Sequence, residues 1–450
     1  MNRYWVKFLP TFVSKRLEGR WSLQGIIGNT GWLFADKVVR LGIGLFVAGW
    51  VARYLGPEQY GMLSYAQAFV LLFSAIANLG LNGIVVRNLV RDSASSNVIL
   101  GTAFFLKLCS SIFTFVLIVI LAIFIEHDNN LSKLMITLIA ASLIFQVSDV
   151  IDYWYQSKTF SRPTVIARIL AFFVSTVIKI ILIVNNLPVS YFAAIALIDS
   201  FISALGLYVA YYRSGYRVLN WKISKSVSIA LLKDSWPLIL SGMVILLYMR
   251  IDQIMLAKMV GAKALGIYST AVTLAEVWYF VPMIVVPSVF PKIIEAKQID
   301  DELFYSRLQQ LYKLMALLAY IIAVPVSLLS GWIVNLIYGP LYSEAGPMLA
   351  LLVWAGLFTN IGVARSSFLT TMNWTKVHLV TTLMGGVINV VLNLILIPKY
   401  EGLGAVIASL VAYGFQSYVS CFFYKPLRQT GIMLTKAIFF PNPFLKRDYI

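Results

Sequence analysis

The chain is 450 residues long, 60% hydrophobic and only 12% charged, against roughly 25% charged residues in soluble domains. At about 20 apolar residues per helical crossing, it has room for about twelve spans and no separate soluble domain. The net charge of +17 would suggest nucleic acid in a soluble chain, but here the cations lie mostly between apolar stretches, where they set orientation.

Residues 1–28 carry Arg3, Lys7, Lys15, Arg16 and Arg20 without a compact apolar core, unlike a cleavable signal peptide. They read as a basic cytoplasmic tail lying near anionic headgroups. Apolar windows then predict spans at 29–53, 63–86, 98–125, 132–156, 164–186, 189–212, 234–258, 265–291, 308–330, 346–372, 376–397 and 403–425. Segment 331–345 is too short and too broken to cross and is expected at the interface. Residues 426–450 are expected to form a second cytoplasmic tail. With the N-terminus inside, the even-numbered connections and both tails hold 24 Lys and Arg. The odd-numbered connections hold five: Arg53, Lys133, Lys258, Lys263 and Lys399. That asymmetry puts both termini in the cytoplasm and supports an even number of spans.

The expected fold is an all-α integral membrane protein. The longest connection, 213–233, acts as a cytoplasmic linker between an N-lobe at 29–212, holding spans one to six, and a C-lobe at 234–425, holding spans seven to twelve. The halves resemble each other: 55–66 aligns without gaps with 260–271, so that Gly56 matches Gly261, Gly61 matches Gly266, Ser64 matches Ser269 and Ala66 matches Ala271. Both copies fall on the turn between the first two spans of a half, where a tight bend needs glycine. The repeat is therefore parallel, as in transporters of two lobes around a central cavity.

The first span carries Asp36, Lys37 and Arg40, although a charge at the bilayer centre costs at least roughly 3 kcal/mol. Asn29, Trp32, Asp36 and Arg40 share an arc of roughly 80°, with Lys37 beside it. Gly42, Gly44, Ala48 and Gly49 on the remaining surface admit another helix. Either the polar stripe faces a water-filled interior, or Asp36 and Arg40 neutralise each other at i,i+4 and leave Lys37 uncompensated.

Further cations lie within later spans: Lys107, Arg168 and Lys179, then Arg250 and Arg365. If several face one cavity, they form a ladder suited to a moving anionic group. Arg40, Lys37, Arg250, Lys179, Arg365, Trp32 and Asn29 are then the candidate substrate-binding residues. For Lys107, Arg168 and Arg365, near cytoplasmic helix ends, snorkelling competes with that role. For Lys179 the competitor is a salt bridge to Asp199. Asp36, Asp199, Glu276 and Asp252 are the candidates for ion coupling or charge pairing. Pro282, Pro287, Pro291 and Pro325 interrupt helical hydrogen bonding where a helix can bend. Tyr153, Trp154 and Tyr155, or Trp278 and Tyr279, could stack on sugars, an interfacial belt being the alternative.

Cys109 and Cys421 lie in separate apolar runs and read as packing residues, with neither a disulfide nor a metal motif. There is no Walker loop, no HExxH and no GxSxG, and His127 and His378 fall on opposite sides of the membrane. No bound cofactor is therefore expected. An ion gradient of H+ or Na+ is the expected driving force, and a secondary transporter is expected rather than an enzyme.

The run from Asn29 through Asp36 and Lys37, continuing from Val47 to Leu55-Gly56-Pro57-Glu58-Gln59-Tyr60-Gly61, resembles the opening of the bacterial polysaccharide-biosynthesis transporters. These are the O-antigen flippases of the multidrug/oligosaccharidyl-lipid/polysaccharide exporter superfamily. The resemblance implies two six-helix lobes in the bacterial inner membrane. It also implies export of an undecaprenyl-diphosphate-linked oligosaccharide from the cytoplasmic to the periplasmic leaflet through a cationic lumen. Lys37 and Arg40 are the positions it carries over as lumen cations. Implied partners are membrane lipid, a polysaccharide polymerase and a chain-length regulator. Multidrug exporters of the same superfamily would favour an acidic cavity, lipid II flippases usually carry two extra helices, and a membrane polymerase or ligase is the alternative of a different class.

Overall fold

A computed structural model describes residues 21–127, 129–372 and 374–443; within these, the side chains of 21–30, 33, 35 and 375 fall outside the description. Most of the expected basic N-terminal tail, and the side chain of Asn29, thus lie outside the described residues.

Among the described residues, the regular elements are helices, and ten segments are long and apolar enough to cross a membrane. Two of these segments are folded-back pairs. Trp21–Asn78 has 58 residues and would be roughly 87 Å long if straight, nearly three bilayer cores. It breaks at Gly56, whose φ of 70° is free to glycine but costly to other residues. Pro57 follows, where a helix start needs no N–H. Thr375–Gly414 breaks at Glu401, with φ 48° and ψ −125°, three residues after Pro398. There Gly404 lies against the backbone of Leu396 and Ile397, residues that a straight helix would hold about 12 Å away. Ten segments with two reversals give the twelve crossings read from the sequence.

Two expectations about the connections change. Asp301–Tyr338 is one helix of 38 residues ending at Gly339, φ 86°, so 331–338 is not a separate broken segment but continues the helix of the ninth span. A lone Gly331 costs a helix only about 1 kcal/mol, and here it receives Gly346, whose added Cβ would sit 3.1 Å from Gly331 Cα. The stretch after 426 is not a simple tail either. Arg428–Phe439 is a helix burying Met433, Leu434 and Ala437. It is tied to Asp301–Tyr338 by bonds from Gln309 to the Met433 carbonyl, 3.0 Å, and from Tyr320 to the Ile438 carbonyl, 3.0 Å.

The chain forms two compact units. One holds the residues up to Val47 together with Val70–Met243, the other Ala48–Phe69 together with Val244 onward. Helices Trp21–Asn78 and Lys225–Met259 therefore each contribute to both units.

In the first unit, Leu81, Ile84 and Val85 pack against Ile99, Leu100, Val150 and Ile151. Tyr153, Trp154 and Tyr155 are buried in this core and form neither a belt nor an open sugar platform. Trp154 meets Tyr155 and Tyr211 edge to face, at 4.9 and 5.4 Å between centroids. Aromatic bulk fills the core because the helix Asp149–Ser157 is short and turns its apolar face inward.

In the second unit, Phe304, Leu308, Tyr312 and Met315 pack against Ile361, Phe368, Cys421 and Leu434. Here too the two repeat turns meet. A Cβ on Gly61 would run into the backbone of Ala262 and Gly266, and one on Gly266 into that of Pro57 and Gly61.

Candidate functional site

Each unit holds its own polar constellation inside apolar helices. In the first unit, Arg168 on helix Arg162–Val184 bridges two carboxylates of helix Asp149–Ser157, Asp149 at 3.2 Å and Asp152 at 2.9 Å. Asp152 also accepts from Gln156 Nε2 at 2.9 Å. Lys107, on Ser96–Ile125, is fully buried; its Nζ donates to the Gln146 carbonyl at 3.1 Å and to Tyr153 OH at 3.2 Å, and lies 3.9 Å from Asp149. Neither Lys107 nor Arg168 snorkels. Both turn into the protein because carboxylates wait there, and pairing inside avoids the cost of an unpaired charge in hydrocarbon.

Asp36 sits within electrostatic reach of this cluster, feeling Arg40, Arg168, Lys37 and Asp152. It is 9% exposed, and its Oδ1 has no hydrogen-bond partner among the described residues. The alternative, an Asp36–Arg40 ion pair, does not form among the described residues. Instead Arg40 Cζ lies 5.8 Å above the ring of Phe172, an arrangement in which the ring face supplies the negative potential.

Lys179 feels both Asp199 and Arg40 without an ion pair within 4 Å among the described residues. Asp199 accepts from Ser175 Oγ at 2.8 Å instead. Lys37 is exposed. Trp32, 39% exposed, carries the Arg162 guanidinium 5.2 Å over its ring. The first unit thus brings together Asp36, Lys37, Arg40, Lys179 and Asp199, and adds Lys107, Asp149, Asp152 and Arg168.

In the second unit, Glu276 is not isolated: Arg250 donates to it at 2.7 Å. Two residues after Arg250 comes Asp252, 5% exposed, which accepts from Tyr268 OH, from Ser409 Oγ at 3.3 Å and from the Gln253 N–H at 2.7 Å. Asn389 donates to Ser409 at 3.3 Å and Asn393 to Asn389 at 3.0 Å. Both asparagines are fully buried, on the eleventh span. This uncharged extension escaped a reading confined to charges. Its signal is Asn at i and i+4 in an apolar helix, with a serine in the next span.

Arg365 lies apart from these groups and is 2% exposed, so it does not snorkel either. It donates to the Gln416 carbonyl at 2.9 Å and to Ser420 Oγ at 3.2 Å. Phe415–Val419 forms a π-helical turn, and widening a helix in this way frees carbonyls for outside donors. Among the described residues no carboxylate pairs with Arg365, and no group of three His, Cys, Asp or Glu suited to a metal occurs.

A family model described as "Polysaccharide biosynthesis protein" matches residues 26–297, well over half of the chain. The chain belongs to that family. Comparison with curated proteins finds no match. Solved structures with the same fold include an inward-facing multidrug resistance MATE family transporter of the MOP superfamily, at 15% identity and TM-score 0.69, covering 89% of this chain and 99% of that one. Lipid II flippase MurJ in an inward closed conformation is similar at 15% identity and TM-score 0.63, covering 93% and 94%. A eukaryotic MATE transporter is similar at 12% and 0.58, covering 93% and 100%. At such identities the likeness shows the fold alone: this family member is a multi-pass membrane protein with the architecture of MOP-superfamily transporters.

Proposed function

We propose that the protein is a flippase carrying an undecaprenyl-diphosphate-linked oligosaccharide, an O-antigen or similar repeat unit, from the cytoplasmic to the periplasmic leaflet of the bacterial inner membrane. The single observation that carries this reading is the family match over residues 26–297. The fold shared with MurJ, described as a lipid II flippase, supports it. The diphosphate is a compact double anion, and Arg40 and Lys37 are the cations assigned to meet it. Arg40 lies over a ring face and Lys37 is exposed, and among the described residues neither is paired with a carboxylate in the way Arg168 and Arg250 are. The polyprenyl tail stays in lipid while the head crosses, driven by an H+ or Na+ gradient. Asp36, buried with an oxygen that has no hydrogen-bond partner among the described residues, is the group we assign to the ion. Both termini lie in the cytoplasm, and the delivered units feed a polymerase and its chain-length regulator.

The test is the leaflet occupied by lipid-linked repeat units in a deletion strain. Accumulation on the cytoplasmic side is expected. Single units stranded on the periplasmic side would instead identify a polymerase or ligase, and altered resistance to cationic dyes with intact glycan a drug exporter.

A further inference from the structure

Halfway along the eighth span the helix changes character. Ala262–Glu276 gives way to a tight three-residue turn, Val277–Tyr279, before Phe280–Ile299 resumes. Pro282 accounts for the place of the turn: it has no N–H to offer the Trp278 carbonyl four residues earlier, so regular α-helical bonding cannot run through. The turn presents Trp278, 37% exposed, near the centre of the span. Membrane tryptophans gather at the two interfaces, so a central and exposed one has another reason to be there.

That reason stands beside it. Glu276, two residues before Trp278, holds Arg250 at 2.7 Å, and the two side chains are 23% and 18% exposed. A partly exposed ion pair within an apolar span implies water beside it, because hydrocarbon there would be costly. One bond between the two leaves most of the five guanidinium N–H donors and the carboxylate lone pairs unused by each other, while the pair as a whole carries no net charge. Tyr279 lies within electrostatic reach of both. A Cβ on Gly356 would stand 4.0 Å from the Tyr279 ring, so the tenth span backs this aromatic closely. A cavity between spans eight, nine and ten is lined by Trp278, Tyr279, Gly356 and Asn360, and Asn360 Nδ2 donates to the Met315 carbonyl at 3.2 Å. It has room for about one water molecule, enough for a hydroxyl group and too little for a ring.

An exposed indole, a neighbouring phenol and a neutral pair rich in donors and acceptors together suit a sugar. The negative face of an aromatic ring attracts the weakly positive C–H face of a pyranose, and the pyranose hydroxyls need placed donors and acceptors rather than net charge. A diphosphate gains little from a neutral pair. We propose that Trp278, Tyr279 and the Arg250–Glu276 pair form a subsite for one sugar ring of the transported head group. The ring lies on the exposed face of Trp278, its hydroxyls bond to Arg250 and Glu276, and one hydroxyl enters the cavity beside Asn360. The subsite rests on the flippase reading, in which a glycan passes through the protein, and it separates sugar recognition from the cations assigned to the diphosphate. Packing of Trp278 against lipid tails is the competing role.

The test uses the full-length protein in nanodiscs and two probes: undecaprenyl diphosphate, and the lipid-linked oligosaccharide extracted from a strain lacking this protein. The wild type should bind the oligosaccharide form more tightly. Trp278→Leu should shrink that preference by about three- to tenfold with affinity for undecaprenyl diphosphate unchanged, and Trp278→Phe, which keeps a ring face, should retain most of it. A preference that survives Trp278→Leu would overturn the subsite. A second measurement places Trp278→Cys in a Cys109→Ala/Cys421→Ala background and follows labelling by a water-soluble maleimide. Labelling is expected, with protection by the oligosaccharide form and none by undecaprenyl diphosphate; a thiol that stays inert would show that position 278 faces lipid and would also overturn the subsite. A wild type that binds both probes equally removes the sugar subsite and leaves the diphosphate reading standing, whereas one that binds neither brings down the flippase reading and the subsite with it.

Discussion

Lys107→Met separates a structural cation from a functional one. The wild-type ammonium is fully buried, donates to Gln146 and Tyr153 and stands 3.9 Å from Asp149. Methionine keeps the length and apolar contacts of the stem, so the loss is electrostatic. Asp149 and Asp152, with Asp36 nearby, would then face the half-buried Arg168 without Lys107 beside it. Tyr153 OH would lose its donor.

Breaking a buried ion pair by removing one partner costs about 3–5 kcal/mol, and an orphaned buried hydroxyl about 1–3. Removing the ammonium returns part of its own desolvation cost, so a net loss of about 3 kcal/mol is expected. For folded units of 150–250 residues, about 2–4 °C per kcal/mol converts this to a fall of about 6–12 °C in the melting temperature of detergent-solubilised protein, followed by fluorescence-detected size exclusion. The double variant Lys107→Met/Asp149→Asn restores the charge balance and should recover more than half of the loss, a coupling that neither single change would show alone. Lys37→Met, at an exposed position, should leave melting unchanged. An unaltered melting temperature for Lys107→Met, or no recovery in the double variant, would refute the idea that this charge is held for stability.

Arg40→Ala should abolish surface polysaccharide in a complemented deletion strain while the protein stays in the membrane at normal amount; normal polysaccharide would remove Arg40 from its assigned role. Arg250→Met strands Glu276, and because the two side chains are 18% and 23% exposed the cost should be about 2 kcal/mol, below the 3–5 of a fully buried pair. Thermal melting of Arg250→Met beside Arg250→Met/Glu276→Met checks it, the double variant being expected near wild type. Gly266→Val places a branched side chain where the Pro57 and Gly61 backbones already lie. Little folded protein should survive extraction, whereas Gly215→Ala, at φ 86° but in open space, should cost only about 1 kcal/mol.

Much of the fold was legible in the chain because the bilayer imposes a simple rule. Each crossing must satisfy its own backbone and present apolar side chains, so span number followed from hydropathy and the tight turn at 55–57 from Gly56 and Pro57. The length of the ninth span was not legible. Whether Gly331 and Gly339 end a helix depends on what packs beside them, and Gly346 rests on the first while the second alone adopts positive φ. Likewise, Lys107, Arg168 and Arg365 sit where snorkelling is geometrically open, and only the placement of Asp149, Asp152 and the Gln416 carbonyl by other helices turns them inward.

The sequence by itself determined that this is a twelve-span membrane protein of repeated halves, with an unusual charge load on its first helix. Those properties reside in local composition and spacing. Tertiary structure decided which charges are spent on one another: among the described residues Arg168 and Arg250 are paired with carboxylates, Arg40 and Lys37 are not, and one oxygen of Asp36 has no hydrogen-bond partner. It also brought Gly61 onto Gly266, turning a sequence repeat into a contact. Pairing in a low-dielectric interior depends on distances of a few ångströms between helices far apart in the chain, and no local pattern encodes them.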